Sequence, residues 1–267
     1  MHKNISLNQL SKLVRFEIIK KTHEKQSGHL GGALSCTDLL VNIFHNHILK
    51  NKNSKFVLSK GHCALALYAT LFINKKLTKA LFNKFASQGS VIGEHPSPKI
   101  KNKFIEFSTG SLGHGLSFGS GLAYSKFLKK ENGNVFVLMS DGEINCGSVW
   151  ESALLASKLK LRNLIAIVDY NKFQATGKSN EILNIKPLTN KWKSFGWETF
   201  ECDGNNHDSI KNKMNLLIKK NSNKPKILIA HTIKGKGVSF MENDNNWHYR
   251  SPNINELNKS KAQLGIK

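Results

Sequence analysis

Val135-Phe136-Val137-Leu138-Met139 runs into Ser140-Asp141-Gly142-Glu143, and Leu164-Ile165-Ala166-Ile167-Val168 runs into Asp169-Tyr170-Asn171. Both apolar runs are short, with the length and composition of buried strands. Residues 145–161 between them read as a helix. Strand, helix and strand make one crossover of a parallel sheet. In such sheets ligands bind outside the carboxyl ends of the strands. Asp141 and Asn171 would stand there with hard oxygen ligands. These suit Mg²⁺ or Ca²⁺, ions that often keep phosphate oxygens as further ligands. The stretch therefore reads as a metal–diphosphate site. Asp-Gly is also a common turn, so a surface turn followed by an ordinary loop Asn is the competing reading.

Outward from this unit the same alternation continues. Ser6-Leu7-Asn8-Gln9 has capping-box spacing and opens an amphipathic helix that Gly28 ends. Residues 35–47, 63–73 and 78–85 read as helices, and 56–58 as a short strand. Residues 87–108 form a long loop, a feature often functional in compact domains. Residues 113–128 read as a helix rich in Gly and Ser. Glycine costs a helix about 1 kcal/mol per site, so close backbone packing or ligand contact is expected. Residues 197–201 and 226–230 read as strands, with a helix over 208–220 between them. The expected fold is α/β, a mostly parallel sheet with helices on both faces. It forms one domain over 1–267, with a polar tail, loosely helical or disordered, over 253–267.

The chain has 267 residues and a net charge of +22. Of its 40 basic residues only Arg15, Arg162 and Arg250 are arginines. The lysines are scattered among asparagines, and no aromatic residues interleave with a basic stripe. Solvated lysine faces therefore explain the charge better than a specific nucleic-acid surface does. An acidic partner subunit is a second reading, and attraction of phosphorylated sugars a field effect. No apolar run reaches the roughly 18 residues of a membrane span. Met1-His2-Lys3-Asn4 leads into an amphipathic pattern rather than an apolar h-region, so no signal peptide is expected. Cys36, Cys63, Cys146 and Cys202 lack CxxC spacing, as expected for reduced thiols in a cytoplasmic protein.

Further motifs occur in a telling order. They are Ser27-Gly28-His29-Leu30-Gly31-Gly32, Leu58-Ser59-Lys60-Gly61-His62, Ser108-Thr109-Gly110-Ser111-Leu112-Gly113, Gly147-Ser148-Val149-Trp150-Glu151, Thr232-Ile233-Lys234-Gly235-Lys236-Gly237 and Trp247-His248. With the Asp-Gly and Asn elements they resemble the N-terminal, diphosphate-binding half of transketolases, over about residues 6–252. The resemblance implies a thiamine diphosphate-binding fold. It implies a metal ion held by Asp141, Asn171 and the carbonyl of Phe173. It places the cofactor against His62, Gly110, Ser111, Leu112, Asp141, Gly142, Glu143, Asn171, Lys234 and His248. His29, His62, His95 and His248 are the implied catalytic histidines, exchanging protons with sugar hydroxyls near neutral pH. His2, His23, His45, His47, His207 and His231 have no such match and are expected to be structural.

Four positions depart from the family pattern. Ser140 replaces a Gly, Glu94 stands where Gly is usual, His114 replaces a Gln, and Cys146 replaces a Glu. The implied activity is transfer of a two-carbon ketol unit from a phosphorylated or free ketose to an aldose. The activating glutamate of the family belongs to a domain beyond this one. A C-terminal transketolase subunit in an α2β2 assembly is therefore the implied partner. Two alternatives remain: a changed acceptor in unusual sugar or surface glycan synthesis, and a basic nucleic-acid-binding protein on a relic fold.

Overall fold

A computed structural model describes residues 5–267; Met1 to Asn4, His2 among them, lie outside the described residues. Five strands form one sheet: β1 (Lys55–Leu58), β2 (Val135–Ser140), β3 (Leu164–Tyr170), β4 (Glu198–Asp203) and β5 (Lys226–His231). Their order is β1-β2-β3-β5-β4, and each pairing is parallel. The helices are α1 (Leu7–Lys25), α2 (Leu30–Ser35), α3 (Thr37–Ile43), α4 (Ala64–Ile73), α5 (Lys79–Asn83) and α6 (Gly115–Leu128). They continue with α7 (Gly147–Lys158), α8 (Ser179–Ile182), α9 (Leu188–Ser194), α10 (His207–Lys219) and α11 (Ile254–Leu264).

β1, β2, β3 and β5 bury both faces, as uninterrupted apolar runs require, while the edge strand β4 is mostly half-buried. Phe136, Leu138, Ile165, Ile167 and Leu228 join a core with Val14 and Ile18 of α1, Leu39 of α3, Leu67 of α4 and Met214 of α10. Val135, Val137, Leu164, Ala166, Val168 and Ile229 face a second core with Leu116 of α6, Ala153 of α7 and Trp192 of α9. Each such fully buried aliphatic side chain contributes about 1.5–3 kcal/mol. The glycine-rich α6 lies hard against the sheet. A Cβ on Gly119 would sit 2.3 Å from Val137 Cγ2, and one on Gly115 would sit 2.2 Å from Ser59 Oγ.

Several boundaries differ from the sequence reading. The capping box of Ser6 and Gln9 opens α1 as expected, but the helix stops at Lys25, where Gln26 takes a left-handed conformation (φ 49°). The expected helix over 35–47 starts earlier, as α2, and breaks at Cys36. It then runs through α3 into a wide π turn over Phe44–Ile48. Residues 87–108 carry one 3-10 turn, Pro98–Ile100. The polar stretch at the end is helix α11, opened by a second capping box (Asn253 and Glu256), with Leu264 buried in the first core.

Candidate active site

Four loops converge beyond the carboxyl ends of β1, β2, β3 and β5. Past β1, Gly61 crosses the 109–110 backbone so closely that a Cβ would meet the Thr109 carbonyl carbon at 2.5 Å. Thr109 Oγ1 donates to Leu58 O at 2.6 Å and fixes that crossing. The crossing sets His62 near Gly110. A Cβ on Gly110 would lie 2.8 Å from His95 Cδ2, so glycine makes room for that ring.

The four expected histidines come together from distant parts of the chain. His29 precedes α2, His62 lies in the 3-10 turn before α4, His95 in the long loop and His248 in the 3-10 turn Asn245–His248. The His29 ring lies 5.4 Å from His62, 6.2 Å from His95 and 5.4 Å from His248. They line a cavity of about 290 Å³ together with Gly110, Leu112, Gly142, Asn171, Phe173 and Lys234. Ser111 is exposed beside it.

Lys234, reached from the end of β5, is buried in the cavity wall. Its ammonium donates to Gln174 O at 3.2 Å, Asn245 Oδ1 at 2.5 Å and His248 Nδ1 at 3.1 Å. Burial, with repulsion from Lys60, pulls its pKa down to about 8. Burial and the Lys234 charge push His248 down to about 3, so this imidazole is neutral. An ammonium only donates. Nδ1 of His248 is therefore the acceptor, and its single proton sits on Nε2. Burial also lowers His29, whose Nδ1 is enclosed without a hydrogen-bond partner.

At the other side of the site, Ser140 pairs with Asp169 in the register of β2 and β3, which sets Asp141 and Asn171 at neighbouring strand ends. Asp141 is fully buried. Its Oδ2 accepts from Ser179 Oγ at 2.7 Å, while Oδ1 has no partner. Burial pushes the carboxyl up to about 6. Asn171 Nδ2 donates to Ser35 Oγ at 3.2 Å and Asp169 Oδ2 at 3.3 Å, and its Oδ1 accepts from Phe173 N at 3.0 Å. A second lone pair remains on that oxygen.

An orphaned, buried carboxylate oxygen that has lost acidity is what a divalent cation would satisfy. Among the described residues no trio of His, Cys, Asp or Glu could hold a metal by itself. An ion at Asp141 would thus draw on Asn171, a backbone carbonyl and oxygens of a bound anion. A Cβ on Gly142, which lines the cavity, would already press on Gln174 Cγ at 3.0 Å. The residues present fit a metal–diphosphate group.

Glu143 is placed differently from a cofactor contact. It is fully buried, and its carboxylate accepts from Ser59 Oγ, Gly113 N (2.9 Å) and Ser140 N (3.3 Å). It ties three loops together and does not line the cavity. Ser140 fits its place, its Oγ accepting from Glu143 N at 3.3 Å. His114 is exposed, with Nδ1 3.2 Å from Ser111 O. Cys146 is half-buried, its thiol pushed up by burial and by Glu143. Ser27 Oγ donates to Glu94 Oε1, joining the loop of His29 to the loop of His95. His23, His45, His47, His207 and His231 lie outside the cavity lining.

Sequence reasoning passes over Ser35, Ser179, Thr232, Gln174 and Asn245. Ser35, Ser179, Gln174 and Asn245 are single polar residues without a motif, and Thr232, although it opens the motif of Lys234, shows its role only once the fold brings it to Asp169.

The chain is similar to known proteins. A family model described as transketolase, thiamine diphosphate binding domain, matches residues 6–267. The chain is 34% identical over 257 residues to one of the subunits of the apulose-4-phosphate transketolase of Phocaeicola vulgatus, covering 94% of this chain and 90% of that protein. It is 32% identical over 246 residues to a 6-deoxy-6-sulfo-D-fructose transketolase subunit from a Clostridium species, covering 89% and 88%. Its fold matches a crystal structure of a transketolase variant from Pichia stipitis with a TM-score of 0.89 and 25% identity, over 98% of this chain and 41% of that one. The chain therefore spans about two fifths of the solved transketolases it matches, but most of the length of the two relatives named as subunits.

Proposed function

This chain belongs to the transketolase family, and on that premise we propose that it is the diphosphate-binding subunit of a split transketolase. It would move a two-carbon ketol unit from a ketose to an aldose when joined to a second, C-terminal subunit in an α2β2 assembly. The observation that carries this reading is the buried Asp141 carboxylate with one unpartnered oxygen, set beside Asn171 and the cavity of four histidines. The names of the two relatives as subunits support the need for a partner chain.

Thiamine diphosphate, when bound, supplies the nucleophile and electron sink for cleaving a carbon–carbon bond beside a ketone. Asp141, Asn171 and the Phe173 carbonyl would hold its Mg²⁺ or Ca²⁺. Gly142 lets a diphosphate reach the backbone. The Nε2 proton of neutral His248 points a hydrogen-bond donor at a sugar oxygen on which charge develops, and the Lys234 ammonium adds a fixed positive field. His29, His62 and His95 exchange protons with sugar hydroxyls.

The two relatives are named for different, uncommon sugars. Together with the carboxylate of Glu94 between the His29 and His95 loops, this favours a sugar outside the common pentose and hexose phosphates. The direct test is reconstitution. The purified chain, alone and with a candidate second subunit, is assayed against panels of ketose donors and aldose acceptors. Transfer by the pair alone supports the reading. Transfer by the lone chain removes the split-enzyme claim, and no transfer by any pair removes the activity.

A further inference from the structure

Tyr249 follows His248 at the end of the 3-10 turn Asn245–His248 and completes the wall of the histidine cavity. It is 67% exposed, more than any other large apolar side chain among the described residues. An exposed ring by itself is ordinary. Two observations set this one apart.

The first is what the ring touches. Its centre lies 4.5 Å from that of His248 and 5.4 Å from that of His29, edge-to-face with both. Both histidines are half-buried and Tyr249 is exposed, so the ring stands on their solvent side, at the mouth of the cavity. The second is how its backbone is held. On one side, buried Trp247 donates Nε1–H to Phe240 O at 3.0 Å, and His248 Nδ1 accepts from Lys234 at 3.1 Å. On the other, Arg250 N donates to Asn246 O at 3.1 Å. The Arg250 guanidinium lies 4.3 Å over the Trp247 ring and pairs with Glu256 of α11 at 2.5 Å. Tyr249 therefore projects from a fixed turn. Little further freedom is lost when a ligand packs on it.

So exposed a ring contributes little to the core, since hydrophobic stabilisation follows the area removed from water. Fixed at the mouth, it is placed to meet what enters. An aromatic face carries negative potential and attracts C–H groups, which line one face of a sugar chain. Resting on the reading of this cavity as the sugar site of a ketol transfer, we propose that Tyr249 is a specificity-determining residue. Its ring packs against the donor's carbon chain beyond the bond that breaks. It selects ketoses long enough to reach the mouth, while the histidines beneath it act on the carbons that react.

The test uses the reconstituted pair of subunits with wild type, Tyr249→Phe and Tyr249→Ala. The donors are a pentulose, a hexulose and a heptulose, and, as an internal control, hydroxypyruvate. Hydroxypyruvate carries the same two-carbon unit, but its cleavage releases carbon dioxide, so no carbon chain reaches the ring. Tyr249→Ala should raise KM for the sugar donors about tenfold, the scale of a methylene contact in an apolar pocket. It should keep kcat, the mark of binding shared by ground and transition states. Hydroxypyruvate should be used as well as by wild type, and Tyr249→Phe should match wild type throughout. Equal losses with sugars and hydroxypyruvate, or no loss with either, overturn the proposal. So does a fall in kcat at unchanged KM, which would make the ring a positioning group for His29 and His248. A loss already present in Tyr249→Phe overturns packing by the ring and moves the contact to the hydroxyl. Weakened association of the subunits in Tyr249→Ala, read by sedimentation, overturns it in favour of a subunit contact. Failure of the wild-type pair with every donor is distinct from all of these: it removes the ketol-transfer reading, and this inference with it.

Discussion

Lys60 and Asp169 form an ion pair whose two side chains are wholly excluded from solvent. Burial opposes the Lys60 charge, but Asp169 outweighs it and holds the ammonium well above its ordinary pKa. Asp169 also accepts from Ser35 Oγ at 2.6 Å, from Thr232 Oγ1 and from Asn171 Nδ2. The pair thus sits under the candidate metal site and orients Asn171. Breaking a buried pair from one side strands a charge and costs about 3–5 kcal/mol. Lys60→Met and Asp169→Asn should each lower the denaturant midpoint strongly. The double variant should recover part of the loss. Additive losses in the double variant would mean that the two residues are not coupled.

The glycines around the site separate into those that need the absence of a side chain and those that do not. Gly113 has φ +89°, and a Cβ there would meet Cys146 Cβ at 2.6 Å. Gly113→Ala should cost about 1–3 kcal/mol through strain alone. Gly121, inside α6, has nothing within 4 Å of its would-be Cβ. Gly121→Ala should stabilise the chain by roughly 0.4–1 kcal/mol. Thermal unfolding of both variants checks the contrast, and similar shifts in one direction would refute it.

Lys234 sets a pH signature. Its folded pKa, about 8, lies below the ordinary 10.5. Between these values the unfolded chain binds more protons than the folded one. Stability therefore gains a rising contribution from about pH 8 to 10.5. Comparing wild type with Lys234→Met isolates it. Wild type should gain on the variant as pH rises through this window. A constant difference between the two would show that Lys234 has an ordinary pKa.

Glu94 acts on His29 across the cavity mouth. Burial lowers the His29 pKa, and the Glu94 charge partly restores it. Glu94→Gln removes the charge and keeps an acceptor for Ser27. The His29 proton resonance should then titrate at lower pH than in wild type. An unmoved titration would leave Glu94 as a packing residue only.

Much of this architecture is legible in the chain because β2 and β3 are short, uninterrupted apolar runs whose ends are marked by Asp141 and Asn171. A parallel sheet then dictates where the site must lie. The histidines are legible only through motif order, since no periodicity distinguishes His29 from His207. Helices α8 and α9 escape a sequence reading because Ser179–Ile182 and Leu188–Ser194 are too short to show a helical stripe. Glu143 sits close to Asp141 in a motif, yet the turn after β2 aims it inward, toward Ser59 and Gly113. Proximity in sequence does not tell which carboxylate faces the cavity. The Lys60–Asp169 pair is hidden for a related reason. Lys60 and Asp169 each lie within a motif, but at the ends of two different strands, and neither motif shows that they pair.

We propose that Asp141 is the metal-binding carboxylate of a thiamine diphosphate site completed by a second subunit. Calorimetric binding of thiamine diphosphate with Mg²⁺ tests it, with and without that subunit, in wild type and in Asp141→Ala. The account predicts saturable binding by the wild-type pair that is lost in Asp141→Ala. It also predicts weakening as pH falls below about 6, where protons compete for the Asp141 carboxylate. Equal binding by Asp141→Ala, or none by the complete wild-type pair, would contradict it.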